Sequence, residues 1–576
     1  MILQILQSRF RNALTGLVED VEPLLELIRP SHDAKFGDFQ ANLSMPLAKK
    51  LSKPPRGVAE EIIDRLNVVD ICSPPEIAGP GFINLRLAES FLADLVRKSL
   101  DDEERLGVPL VDPHRMKTYV IDYSGPNVAK PMHVGHLRST VIGNALVKML
   151  RFVGHNVITD NHLGDWGTQF GMIIYGYRNF LDLAEYERNP VQELSRVYRV
   201  VRQKVDEPNK GVADAVLAET AKLHAGDVNN LKLWQEVLPN CMDEIERIYR
   251  RLDISFDYTL GESFYHPMLQ NVVDELLRKG IAKESDGATC VFFEGRDVPM
   301  IVRKKDGAFL YGTTDIATVE YRIREFKPDV ILYLTDFRQS LHFEHLFATA
   351  RLLGYNNVEL THVKFGTVLG EDGKPFKTRS GDAVGLESLL DEAEARALAV
   401  VKESDKLGLT AAEQRDTARR IGLGALVYAD LSQNRESDYV FSYDKMLAMT
   451  GNTATYMQYA YARVRSIFSK GNVDIDTLRK GSATIILPEP AERALALELL
   501  KFDDAIHFSL RDYRPNILTA YLFDLANRYS TFFENCPVLK AEDAAVRTSR
   551  LLLCDLTART IQKGLELLGI ETVERM

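Results

Sequence analysis

The sequence predicts an α/β fold: a parallel-sheet core carrying an insertion, with a small α+β N-terminal domain before it and an all-helical C-terminal domain after it. Three observations predict this. A strand–helix–strand unit runs from KTYVIDYSGPN (117–127) through an apolar-periodic stretch at about 133–152 to HNVITDN (155–161). Strand character returns at DVILYLTD (329–336) and VELTHV (358–363), with a helical stretch near 341–353 between them. From about residue 386 onward the pattern is almost wholly helical.

Taken in order, residues 1–112 form the first domain. Ile2, Ile5, Leu6, Phe10, Leu14 and Leu17 fall at helical spacing, interrupted by arginines and polar residues, which predicts a packed amphipathic helix rather than a signal peptide. AGPGFINLRL (78–87) leads from a Gly-Pro-Gly turn into a strand, and the polar stretch 101–115 reads as a linker. Residues 113–385 make the core domain. A Glu-, Arg- and Tyr-rich region inside it, about 172–300, is too long for a crossover and reads as a helical insertion. The Asp-Gly pair in VLGEDGKPFKTRSGD (368–382) predicts a hairpin tip followed by a basic loop. Residues 386–440 then read as a helical connection and 441–576 as a further helical domain.

At 576 residues the chain suits three or four domains. Its net charge of −11 argues mildly against a nucleic-acid partner, yet salt screens exposed charges beyond about 8 Å, so a local basic strip can still hold phosphates. The five cysteines form no CxxC and sit near no histidine pair, so neither disulfides nor bound zinc is expected. No stretch reaches the roughly 18 uninterrupted apolar residues of a membrane span, and a soluble, cytoplasmic protein is the expectation.

Chemistry concentrates in NVAKPMHVGHLRST (127–140). A strand ends near Ser124, and His133-Val134-Gly135-His136 opens the next helix. The free N–H groups and positive dipole end there favour an anion. Gly135 lets a base or ribose approach the backbone, both imidazoles can donate to phosphate oxygens, and Lys130 adds a mobile charge. Read alone, such a tetrad is a structural glycine between two surface histidines. Its place at the carboxyl edge of the first core strand favours a functional site. Neither GxGxxG nor GxxxxGK[ST] follows a strand here, which leaves a nucleotidyl-transfer site without a dinucleotide or P-loop cradle.

HxGH followed by a later basic loop resembles the class I aminoacyl-tRNA synthetases, and further segments narrow the resemblance to the arginyl-tRNA synthetase family. They are SGPNVAKPMHVGHLRST, LGDWGTQFG (163–171), YGTTDIA (311–317), TDFRQSLHF (335–343), FKTRSGDAV, ATYMQYAYARVRSIF (454–468) and LELLGIETVERM (565–576). This resemblance implies a Rossmann-like catalytic domain. It also implies activation of L-arginine by ATP with Mg2+, then transfer to the 2′-hydroxyl of the 3′-terminal adenosine of tRNA(Arg), by a monomer. His133, Gly135, His136, Lys377 and Ser380 would meet ATP, with His133, His136, Lys130, Lys377 and Arg379 stabilising the transferring phosphate. The loop departs from the class pattern in placing Arg379 where a second lysine is usual. Which of Lys130, Lys377 and Arg379 carries that charge is open.

An arginine pocket needs a carboxylate with planar two-point geometry. Asp315, one helical turn after Tyr311, fits in type and spacing. The resemblance adds Asp122, Ser124, Asn127, His136 and Gln339, with Asp122 suited to the substrate ammonium. For tRNA it implies elbow contacts from Phe82 and Asn84, and anticodon contacts from the helical half. Tyr459 and Arg463 interleave an aromatic with a cation there, and Met576 joins them. A sister ligase for cysteine would want zinc-binding thiols, and one for glutamate would want basic groups in place of Tyr311 and Asp315. A tRNA-binding relative without catalysis would not need the histidines, Lys130 and the basic loop together.

Overall fold

The structure is a computed structural model describing residues 2–31, 33–207, 211–376, 384–404 and 408–576. The N-terminal domain packs the helix Ile2–Leu14, buried through Ile2, Leu6, Phe10 and Leu14, on a four-stranded antiparallel sheet. Its strands are β1 (Ile28–Pro30), β2 (Phe39–Ala41), β3 (Glu76–Ala78) and β4 (Phe82–Leu85), in the order β1-β2-β4-β3.

The core sheet consists of β5 (Thr118–Asp122), β6 (Asn156–Asn161), β7 (Tyr258–Thr259), β11 (Val330–Tyr333) and β12 (Glu359–His362). All pairings are parallel, in the order β12-β11-β5-β6-β7. Tyr119 and Ile121 of β5 join one apolar cluster while Val120 joins another, as alternation on a sheet covered on both faces requires. The chain leaves β5 toward β6 and later returns to β11 on the other side of β5. That reversal opens a crevice at the carboxyl ends of β5 and β11, where such sheets bind ligands.

The insertion corrects the expectation of a helical region at 172–300. Helices between Thr168 and Arg251 are followed by β7, which joins the core sheet. Next comes a separate antiparallel sheet of β8 (Ala282–Ser285), β9 (Ala288–Val291) and β10 (Met300–Arg303). Asp286 and Gly287, both at positive φ, make the two-residue turn between β8 and β9. That Asp-Gly hairpin signal was present in the sequence.

Antiparallel pairing of Leu369 with Pro375 closes the expected hairpin, and the Gly370 N–H donates to the Lys374 carbonyl. β13 (Val368–Leu369) also pairs in parallel with β14 (Tyr439–Val440), stitching the core to the helical half. Among the described residues no helix is long and apolar enough to cross a membrane, and the five cysteines are buried thiols. No group of three or more His, Cys, Asp or Glu side chains suited to a metal comes together there.

Candidate active site

His133 caps the helix Val134–Phe152. The Gly135 N–H donates to His133 Nδ1 at 3.1 Å, and the His133 N–H donates to His136 Nδ1 at 3.0 Å. Both imidazoles thus accept at Nδ1, which leaves Nε2–H as the donor each can offer a ligand. The rings lie 4.0 Å apart. A Cβ on Gly135 would come within 2.9 Å of the His133 ring, so a larger residue would disturb the cap. Burial, then the neighbouring His133 and Lys130 charges, push His136 down to about 3; burial and Lys130 also lower His133. Both shifts favour the neutral imidazoles, which can offer hydrogen bonds rather than charge. Lys130 lies apart from the cavity lining, its ammonium 5.9 Å over the Tyr198 ring of the insertion.

Lys377, Arg379 and Ser380 lie outside the described residues. Of the described residues on either side of them, those at 384–386 are anchored beside His133. Phe376 lines the cavity, the Val134 N–H donates to the Val384 carbonyl at 3.1 Å, and the Leu386 N–H to the Met132 carbonyl at 2.8 Å.

One cavity of about 1050 Å³ brings together His133, Gly135 and His136 with Asp122, Ser124, Asn127, Tyr311, Asp315 and Gln339. Tyr311 opens the helix Tyr311–Phe326 and is 64% exposed at the mouth, while Asp315 lies one turn deeper. Asp315 Oδ2 accepts from His342 Nε2 at 2.6 Å, and Tyr311 packs on the same imidazole with centroids 4.7 Å apart. Gln339 ends the short turn Phe337–Gln339 that leads into the helix carrying His342.

Asp122 faces the cavity from the end of β5 while its Oδ2 accepts from the buried Arg322 at 2.8 Å. The Ser124 hydroxyl is buried between Thr140 (2.8 Å) and Tyr249 (2.7 Å), so it holds the turn to the insertion and is not a free donor for a ligand. Asn127 crowds Gly164 of LGDWG, where a Cβ would meet Asn127 Oδ1 at 2.3 Å.

Three groups escaped the sequence reading: His342, Arg322 and Glu262. Burial pushes Glu262 up to about 7; His162 opposes the shift, and Asp165 and Asp315 reinforce it. It lines the same cavity. His342 stood within TDFRQSLHF, but no spacing joins it to a residue 27 positions earlier.

A family model described as tRNA synthetases class I (R), catalytic domain, matches residues 100–443. The chain belongs to the arginyl-tRNA synthetase family. Two further models match, an arginyl tRNA synthetase N terminal domain at 4–87 and a DALR anticodon binding domain at 457–576. The arginine–tRNA ligase of Rhodopirellula baltica is 47% identical over 99% of each chain, and that of Proteus mirabilis is 46% identical over 97% of each. Among solved structures, the Plasmodium falciparum arginyl-tRNA synthetase superposes with a TM-score of 0.85 at 29% identity, covering 100% of this chain and 99% of that one. The Thermus thermophilus arginyl-tRNA synthetase gives 0.85 at 25% identity, covering 100% of both.

Within the region matching the anticodon-binding model of this synthetase, a groove of about 1410 Å³ gathers Tyr459, Arg463 and Met576 with Arg465, Lys470 and Lys540. Tyr459 is 38% exposed, whereas Tyr456 donates to Asn527 and the buried Tyr461 donates to Glu574 at 2.7 Å. Of those three tyrosines, only Tyr459 combines exposure with a place in the groove. In the N-terminal domain Phe82 is half-buried. Asn84 is 7% exposed and accepts from Gln40 at 2.9 Å, which ties its amide to β2.

Proposed function

We propose that this chain joins L-arginine to tRNA(Arg) in two steps within the crevice at the ends of β5 and β11. In the first, an oxygen of the arginine carboxylate attacks the α-phosphorus of ATP, and the bond to the bridging oxygen breaks, releasing pyrophosphate. In the second, a ribose hydroxyl of the tRNA 3′-terminal adenosine attacks the adenylate's carbonyl carbon, AMP leaves, and the hydroxyl proton is lost to solvent. Neither step needs a covalent enzyme intermediate, so rate comes from positioning and from donors preset toward developing charge.

The observation that carries this reading is the shared cavity of His133, His136 and Asp315. On one side, two neutral imidazoles at a helix N-terminus offer Nε2–H donors to phosphate oxygens. On the other, Asp315, fixed by His342, faces a guanidinium, with Glu262 as a second carboxyl. Asp122 takes the α-ammonium, and Asn127 and Gln339 complete the amino-acid end. Lys377, Arg379 and Ser380 contribute to holding the phosphates, with Lys130 contributing through its field. ATP would enter with Mg2+, which would neutralise part of the phosphate charge. Tyr459, Arg463 and Met576 hold unpaired anticodon bases, with Phe82 at the tRNA elbow. A cytoplasmic monomer goes with this role in translation.

Charging of tRNA with labelled arginine tests the reading. The expected result is an alkali-labile ester formed with arginine and with no other amino acid. Charging with a different amino acid overturns it.

A further inference from the structure

In the core sheet Asp122 of β5 is the Cα partner of Asp160 on β6 and of Tyr333 on β11. Arg322, two turns beyond Asp315 on the same helix, reaches into this row and is fully buried. Its Nε and Nη2 donate to Asp160 Oδ2 at 3.0 and 2.9 Å, and Nη2 also donates to Asp122 Oδ2 at 2.8 Å. The guanidinium lies 5.4 Å over the Tyr333 ring. Two carboxylates share one guanidinium, and burial pushes Asp160, the deeper of them, up. Of the three, Asp122 alone lines the cavity.

We propose that Arg322 is a positioning residue for substrate recognition. It holds the Asp122 carboxylate aimed into the cavity, where its negative charge complements the cationic amino acid. A simple staple between helix and sheet would need one carboxylate per guanidinium. Here the second carboxylate is buried and takes both donors of the Arg322 fork, and the one facing the cavity is held from behind by the Nη2 donor of that same fork. Without Arg322, two neighbouring carboxylates in a poorly solvated row would repel, and one would take up a proton or swing away. Because the same helix presents Tyr311, Asp315 and Arg322, the anchor also fixes the distance between the two carboxylates that read the substrate.

This inference rests on the reading that Asp122 meets arginine, and the test separates the two. In steady-state charging by the full chain, Asp122→Asn is expected to raise the arginine KM about tenfold or more, with the ATP KM unmoved. An arginine KM that stays put there overturns the reading of Asp122, and this inference with it. Given that rise, Arg322→Met is expected to raise the arginine KM to a similar extent and to add nothing in the Asp122→Asn background. Arg322→Lys, which keeps charge but loses the fork, is expected to fall between wild type and Arg322→Met. If Arg322→Met fails to fold, Arg322→Lys decides alone. A wild-type arginine KM in the folded Arg322 variants, with only the unfolding midpoint lowered, makes Arg322 a staple and overturns the inference.

Discussion

Asp315 and His342 share a 2.6 Å hydrogen bond between two helices that wall the cavity, and both side chains are largely sheltered from solvent. Asp315 stands on the helix Tyr311–Phe326 and His342 on Ser340–Leu353, so their contact fixes the carboxylate and the rim together. Asp315→Asn keeps the shape and removes the charge proposed to face the guanidinium. Losing one partner of a sheltered charge pair costs about 2–5 kcal/mol, which corresponds to roughly thirtyfold or more in arginine KM. Steady-state charging at saturating tRNA is expected to show that rise with little change in the ATP KM. His342→Ala, which leaves the charge but frees its rotamer, is expected to show a smaller one.

Acid should destabilise the fold through His136. Its folded value of about 3 lies below the ordinary 6.5, so the unfolded chain binds the extra proton between those values. The stability that neutral His136 supplies is therefore full above pH 6.5 and falls steadily as pH drops toward 3. His136→Asn keeps an acceptor for the His133 N–H and removes the titration. Urea unfolding at pH 7.5 and 5.5 is expected to show a smaller acid loss in this variant than in wild type.

Arginine binding should release protons near neutral pH. Glu262, held up to about 7 by burial, is close to half protonated there, and a guanidinium placed between it and Asp315 favours its ionised form. Calorimetry of arginine binding in buffers of different ionisation enthalpy is expected to show release of up to one proton at pH 7, lost in Glu262→Gln. Equal heats across buffers for wild type would remove Glu262 from the substrate's surroundings.

The HxGH helix is tied to the helical half by Arg138 and Asp430, 3.0 Å apart with side chains 1% and 0% exposed. Arg138 also donates to the Ser437 carbonyl and packs over the Tyr439 ring. Removing one member of a buried pair costs about 3–5 kcal/mol because the other is left unpaired. Asp430→Ala is expected to lower unfolding stability by that amount, and adding Arg138→Met is expected to recover much of it.

The fold was legible wherever periodicity was strong. The strands around Ile121 and Leu332 and the helix opening at His133 stand where the apolar pattern put them. The sheet β8–β10 was hidden because its strands are four residues each and AKES reads as helix-forming until the Asp286-Gly287 turn is noticed. Within the site, Tyr311 and Asp315 were readable as one helical face and His133 and His136 as one helix start. Arg322, Glu262 and His342 were not, because their partners lie on other elements: Arg322 reaches Asp122 and Asp160 across 200 and 162 residues. Helical spacing explained Tyr459 only in part, since on the same helix the half-buried Tyr456 bonds Asn527 and the buried Tyr461 bonds Glu574.

Arginine-dependent exchange of labelled pyrophosphate into ATP, run with and without tRNA, tests the joint phosphate-and-guanidinium site most directly. The expected result is exchange that requires arginine and is lost in Asp315→Asn at wild-type arginine concentrations. Exchange supported by another amino acid, or none under either condition, would contradict it.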